Sequence, residues 1–370
     1  MNGSKRMVSV LVTAFLLVAG AVFAQSTSAT TGQMGDWNEQ GDEWDEPNVN
    51  EESRGNGENA FHATIQASSM SSINAAEKAL MRKIDERADE RASSAQGAPA
   101  VQERWSSWIS PYYRHTHRSD MESNGGTSKD DSGGSAFGLD IAFGNLVIGG
   151  AFDGGYTRSK YTYGDVSSED KNDFYGITMY ADWTEDKLRI YGGLGFSLDD
   201  HDIEVKTYGF KQNADSNTYA LTWALIGEYK VYDKAVYVTP YAGVRHAFID
   251  TESYKLGTTS YDSDAQNIFR FPIGVKVGRL FNYSGFTLRP ACNFSVEPVC
   301  GDTKTHTKIH SRTLGTSETS KARMTDDFYW DTSIGVTAGF YGISLTLAYG
   351  FHGSEHETEH GVSLTYNWRF

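Results

Sequence analysis

The sequence predicts an all-β fold, a twelve-stranded antiparallel transmembrane β-barrel of the outer membrane, on three observations. Glycine (38), Tyr (21), Phe (19) and Trp (8) are abundant in the 370 residues and proline (7) is scarce, which suits many short strands rather than helices. From Trp105 to Phe370 apolar and polar side chains alternate with period two, the pattern of strands with one greasy face. The connections between them alternate short and long, as do the turns and loops at the two ends of an outer-membrane barrel. Mean hydropathy is −0.49, and past residue 24 no apolar run approaches the ~20 residues of a membrane helix. Any membrane crossing is therefore by strands. The net charge of −15, with no strongly basic run after Arg6, argues against a footprint for nucleic acid or anionic headgroups.

The elements follow in chain order. Lys5 and Arg6 precede the apolar stretch Met7 to Ala24, which ends Ala-Val-Phe-Ala before Gln25; residues 1–24 read as a cleaved secretory signal peptide. Residues 25–60 hold nine acids against one base, Arg54, and bury too little to fold alone; a disordered acidic segment is expected over 25–69. Helix formers fill Ile73 to Ala92, with Ile73, Ala76, Leu80, Ile84 and Ala88 on one thin stripe and charges of both signs elsewhere. At 1.5 Å per residue this helix, set within 70–95, spans about 30 Å, close to a bilayer's hydrocarbon thickness. Taken alone it also fits an exposed linker helix or a weak coiled coil.

The barrel is assigned to 105–370. Its last strand is clearest: Val362, Leu364, Tyr366, Trp368 and Phe370 alternate with Ser363, Thr365, Asn367 and Arg369. Residues 343–351 and 328–340 repeat the pattern, and earlier apolar faces occur near 286–296, 269–277, 236–244, 219–225, 188–198, 175–183, 146–152 and 137–143. Trp105 to His117 is a less clean first strand. Opposite residues of a hairpin share a side. Phe143 is therefore expected across from Leu146, Phe340 from Ile343, Trp183 from Leu188, Val231 from Val236 and Phe281 from Phe286. The connections 118–132, 157–172, 200–215, 250–265, 297–326 and 353–358 are expected to be loops, mostly long and polar. Aromatics near strand ends, among them Trp105, Trp108, Tyr175, Trp183, Phe328 and Trp330, read as interfacial girdles.

Signal peptide, short acidic segment, helix, twelve strands and a C-terminal strand ending in an aromatic occur here in the order that resembles the classical autotransporters (type V secretion) of Gram-negative bacteria, over roughly residues 70–370. The resemblance implies that the helix lies in the barrel lumen, which accounts for its two-signed surface. It implies that Ile73, Leu80, Ile84, Asp85, Glu86, Asp89 and Glu90 form a pore helix, and that the acidic segment is a short passenger at the cell surface. It also implies that Val362, Leu364, Tyr366, Trp368 and Phe370 form the signal read by the barrel-assembly machinery, with periplasmic chaperones and outer-membrane lipid as the other partners of a monomeric barrel. Two departures stand out. The passenger is far too short for an exported β-helix, and Asn74 is followed by Ala75, so the self-cleavage some members perform at an Asn-Asn pair is not expected.

No enzyme chemistry, metal or cofactor is expected. His356-Glu357-Thr358-Glu359-His360 matches H-E-x-x-H, but that motif needs a helix; extended, the two imidazoles are about 13 Å apart. Cys292 and Cys300 are separated by about 26 Å if their strand continues, and they bridge only if it folds back. Lumen-side Arg245, Arg270, Lys276, Arg289, Asp331 and Arg369 either pair with the helix acids Asp85, Glu86, Asp89 and Glu90 or are solvated in a wet pore. The function expected is an outer-membrane translocator that exports its own N-terminal segment; the alternative is a channel or loop-displaying surface barrel.

Overall fold

The computed structural model describes residues 61–94, 105–120, 126–207, 210–233, 236–283 and 286–370, with helix side chains described to Asp85. The expected signal peptide and most of the acidic segment lie outside the described residues. Among the described residues one helix, α1 (Phe61–Ser94), precedes nineteen strands: β1 (Trp105–Arg118), β2 (Thr127–Phe143), β3 (Leu146–Tyr163), β4 (Val166–Glu185), β5 (Leu188–Thr207), β6 (Phe210–Tyr229), β7 (Tyr232–Asp233), β8 (Tyr237–Thr251), β9 (Tyr254–Leu256), β10 (Thr259–Ser263), β11 (Gln266–Arg270), β12 (Ile273–Gly278), β13 (Phe281–Tyr283), β14 (Phe286–Gly301), β15 (Lys304–Ser311), β16 (Thr316–Arg323), β17 (Phe328–Phe340), β18 (Ile343–Gly353) and β19 (Glu357–Arg369).

Twelve antiparallel staves make a closed barrel. β7 extends the β8 side, and β11 and β12 are two parts of one stave interrupted at Phe271-Pro272, where proline has no N–H to give the ladder. Closure comes from β1 pairing with β19 over Ser106↔Arg369 to Arg118↔Glu357, extended by hydrogen bonds between Trp105 and Phe370. No open edge remains in the ring, the condition for sheet to cross lipid. The outward set is apolar as read from sequence: Leu139, Phe152, Ile177, Met179, Phe196, Ile334, Leu347, Val362, Leu364, Tyr366, Trp368 and Phe370 are all exposed large hydrophobics.

Five departures from the sequence reading are instructive. The hairpin partners Phe143↔Leu146 and Phe340↔Ile343 are observed, but Trp183 pairs with Ile190, Tyr232 with Val238, and Phe281 with Leu288. Each slip tightens the turn by continuing the ladder; at Trp183 and Phe281 the shift is two residues, so no side chain changes face, whereas at Tyr232 it is three, because the register changes by one between β6 and β7. Connections 157–172 and 200–215 are not loops but strand, with β3 reaching Tyr163 and β4 starting at Val166; the apolar signal ends where lipid ends while the ladder goes on. Connections 250–265 and 297–326 fold into a second sheet, ordered β16-β15-β10-β9, whose alternation of Lys and His with Thr and Ile has no apolar signature. Trp108 is not in a girdle. It faces the lumen, because β1 puts its odd positions outward and its even ones inward. Finally, α1 begins at Phe61, not near residue 70: its first turns are rich in small Ala, Ser and Thr residues, which suit a confined bore although they read as polar linker.

Candidate functional site: the helix-filled lumen

α1 is buried from Phe61 through Met70 on every side, so it has no solvent face to match an amphipathic stripe. Its hydroxyls are satisfied locally or by the wall, as buried polar groups must be. Ser68 Oγ is hydrogen-bonded to the carbonyl of Ile65 (2.8 Å) and to Asp170 Oδ2 (2.9 Å); Ser69 Oγ meets His201 Nε2 (3.1 Å), whose Nδ1 meets Asp170 (2.9 Å); and Ser72 Oγ meets Thr157 (3.2 Å). Below this polar layer Ala75, Ala79, Leu80, Met81 and Ile84 pack on Trp108, Tyr112, Phe174, Tyr180, Tyr191 and Tyr241. Room for these rings comes from glycine. A Cβ on Gly138 would lie 2.5–2.6 Å from ring atoms of Trp108, whose Nε1 donates to Tyr180 Oη at 3.1 Å.

Long charged side chains make the other contacts between helix and wall. Lys78 reaches Asp331 (2.8 Å) and Glu359 (3.3 Å), and Glu359 also binds Arg114 (2.6 Å). Arg245 joins Glu77 (3.1 Å) to Glu297 (3.3 Å). Near the short-turn end Asp85 takes Lys276 (2.7 Å) and Arg189 (2.9 Å), and Arg189 also binds Asp182 (3.1 Å), Glu228 (3.0 Å) and the carbonyl of Ile84 (2.7 Å). A cavity of about 410 Å³ runs beside these groups, lined by Lys78, Arg82, Asp85, Arg289 and Asp331 among others. The lumen thus holds the helix by aromatic packing and by ion pairs, and the two meet where Arg189 and Lys276 lie over the ring of Tyr191.

Of the sequence candidates, Ile73, Leu80 and Ile84 are buried within the barrel and Asp85 is ion-paired. Glu86, Asp89 and Glu90 belong to α1, but their side chains lie outside the described residues. Arg270 donates to Asn74 Oδ1 (2.9 Å) rather than to an acid. The helix's own Lys78 and Lys83 were missed as partners; their signal was the inward parity of Asp140, Asp331 and Glu359. His352 and His360 face opposite sides of the wall, and no cluster of three or more His, Cys, Asp or Glu residues able to hold a metal occurs among the described residues. Cys292 and Cys300 are both free on the continuous strand β14.

The family model of the autotransporter β-domain matches residues 107–350. Solved structures similar to this chain include the translocator domain of autotransporter NalP from Neisseria meningitidis (13% identity, TM-score 0.57, covering 83% of this chain and 99% of that one). The β-domain of the Bordetella autotransporter BrkA is 16% identical (TM-score 0.56; 72% and 100% covered), and the transport unit of AIDA-I from Escherichia coli 11% (0.50; 74% and 93%). No curated protein sequence matches. A closed twelve-stranded barrel with an apolar exterior and a helix along its lumen, matched by that family model over two thirds of its length, belongs to the autotransporter β-domain family and is an outer-membrane translocator barrel.

Proposed function

We propose that the barrel delivers its own N-terminal segment to the cell surface and then retains α1 as a plug, without catalysing a reaction. The observation that carries this is the direction of the helix. Phe61 packs among Tyr254, Tyr261 and Ile309 at the long-loop end, whereas Lys83 meets Ser106 and Asn367 beside the start and finish of the barrel. Outer-membrane barrels keep short turns in the periplasm and long loops outside, so the chain upstream of Phe61 leaves on the outside. The terminal set Val362, Leu364, Tyr366, Trp368 and Phe370 lies on the lipid face of the closing stave, where barrel-assembly machinery supplied by periplasmic chaperones would read it before closure. The ring closes on itself, which supports a monomer.

An epitope tag between Asp45 and Gly57 tests this. Antibody binding on intact cells is the expected result; binding only after permeabilisation would overturn export and move the function to the pore or the loops. Deleting residues 61–94 should raise conductance in planar bilayers, and unchanged conductance would refute the plug.

A further inference from the structure

The sheet β16-β15-β10-β9 has two dissimilar faces. The inner one places Tyr254, Leu256, Tyr261, Ile309 and Ala322 against the start of α1. On the outer one β15 presents Lys304, His306, Lys308 and His310 at every second residue. Arg323 stands directly across from Lys304 and Lys321 from His306, and Lys255 joins from β9 through Ser260; directly opposed residues project to the same side. Five Lys or Arg and two His therefore share a face on which Asp262 is the only acid within the four strands. Lys255, Lys304 and Lys321 have no salt-bridge partner among the described residues, Lys308 has only a loose one, Asp264 at 3.7 Å, and Arg323 is paired with Asp326 at 3.2 Å.

This is unexpected in a chain of net charge −15. Like charges directly opposed weaken a sheet, so the arrangement costs the fold something that a bound anion would offset. The cations are in line and do not converge: successive ones along β15 are about 6.7 Å apart, the row from Lys304 to His310 spans about 20 Å, and neighbouring strands add a parallel row about 4.8 Å away. A line of charge fits a repeating anion better than a single phosphate. Both tyrosines of these strands, Tyr254 and Tyr261, are on the inner face, so the outer face offers nucleic-acid bases no Phe, Tyr or Trp platform to stack on.

We propose that the outer face of this loop sheet binds a linear, densely anionic polysaccharide. The residues alternate with Thr and Ile, which is why no basic run appears in the sequence although the folded face is strongly cationic. The interaction does not depend on the export reading, since purified barrel tests it whichever way the chain is threaded.

The experiment measures binding of refolded full-length protein in detergent micelles to immobilised heparin as the probe. Binding is expected to weaken about tenfold or more when salt is raised from about 50 to 200 mM, as counterions compete. The triple variant Lys304→Gln, Lys308→Gln, Lys321→Gln should lose at least about tenfold in affinity by the same physics. A second triple, Lys129→Gln, Lys160→Gln, Lys171→Gln, removes equal charge from the exposed barrel wall and should bind as the parent does. Heat-modifiable gel migration checks that each variant is folded. Equal loss in both triples would reduce the effect to net charge and overturn the proposal, as would undiminished binding by the first triple or no binding by the parent. If anionic-lipid vesicles or a DNA oligonucleotide displace heparin at lower charge concentration than free heparin does, the ligand class is wrong.

Discussion

The ion cluster at the short-turn end makes a prediction in which burial decides the magnitude. Arg189 and Asp85 form one ion pair at 2.9 Å, but the arginine side chain is 8% exposed and the aspartate 31%. Arg189→Met removes the cation shared by Asp182 (1% exposed) and Glu228 (5%), as well as the donor to the Ile84 carbonyl. Stripping one partner from a buried pair costs about 3–5 kcal/mol, because the remaining charge stays desolvated. Asp85→Asn keeps an oxygen acceptor for Lys276 and opens onto the water-accessible cavity, so its cost is expected at about 1 kcal/mol or less, the range of a solvated pair. Urea titration in micelles, followed by tryptophan fluorescence and gel migration, should give a gap of about 2–4 kcal/mol between the variants. Equal costs, or an Arg189→Met cost below about 1 kcal/mol, would refute the reasoning that Asp182 and Glu228 stay desolvated when Arg189 is removed.

Gly138→Val should destabilise the barrel by about 1–3 kcal/mol by driving a side chain into Trp108, whereas Gly150→Val, with its nearest obstacle 3.9 Å away, should be close to silent; unfolding midpoints in gels compare them. Burial pushes His62 down to about 3 from a usual value near 6.5, so its neutral form stabilises the helix start above pH 6.5 and that contribution is lost as pH falls toward 3. At pH 4.5 the loss is roughly 2–3 kcal/mol, and the hydrogen-exchange protection of β9 and β10, taken relative to the intrinsic exchange rate at each pH, should be lower than at pH 7.5 in the parent but less so in His62→Gln. On intact cells an impermeant maleimide should label Cys300, beyond the apolar band, and not Cys292, which lies between Val277 and Ile334 on the lipid face; labelling that persists in Cys300→Ser would disprove the register or the orientation.

Twelve staves, their facing and the C-terminal strand were legible because lipid demands an apolar side chain at every second position, and that demand is written residue by residue. Where the demand stops the sequence falls silent: β3 to β6 continue well past the apolar band, held by backbone hydrogen bonds that leave no side-chain signature. The same blindness applies to the loop sheet, whose few apolar residues, Tyr254, Leu256, Tyr261 and Ile309, are spread over three short strands and make no run that alternation could reveal. The helix was legible by propensity, but its start at Phe61 was not, since the Ser and Thr of its first turns are weaker helix formers that are held there by a bore that buries them and supplies Asp130, Asp170 and His201 as partners. By itself, then, the sequence determined the barrel, because a lipid solvent imposes a local and periodic rule. Only the tertiary structure decided what fills and caps it, because the helix meets wall residues from 23 to nearly 300 positions away, and nothing local records which partner each charge will meet.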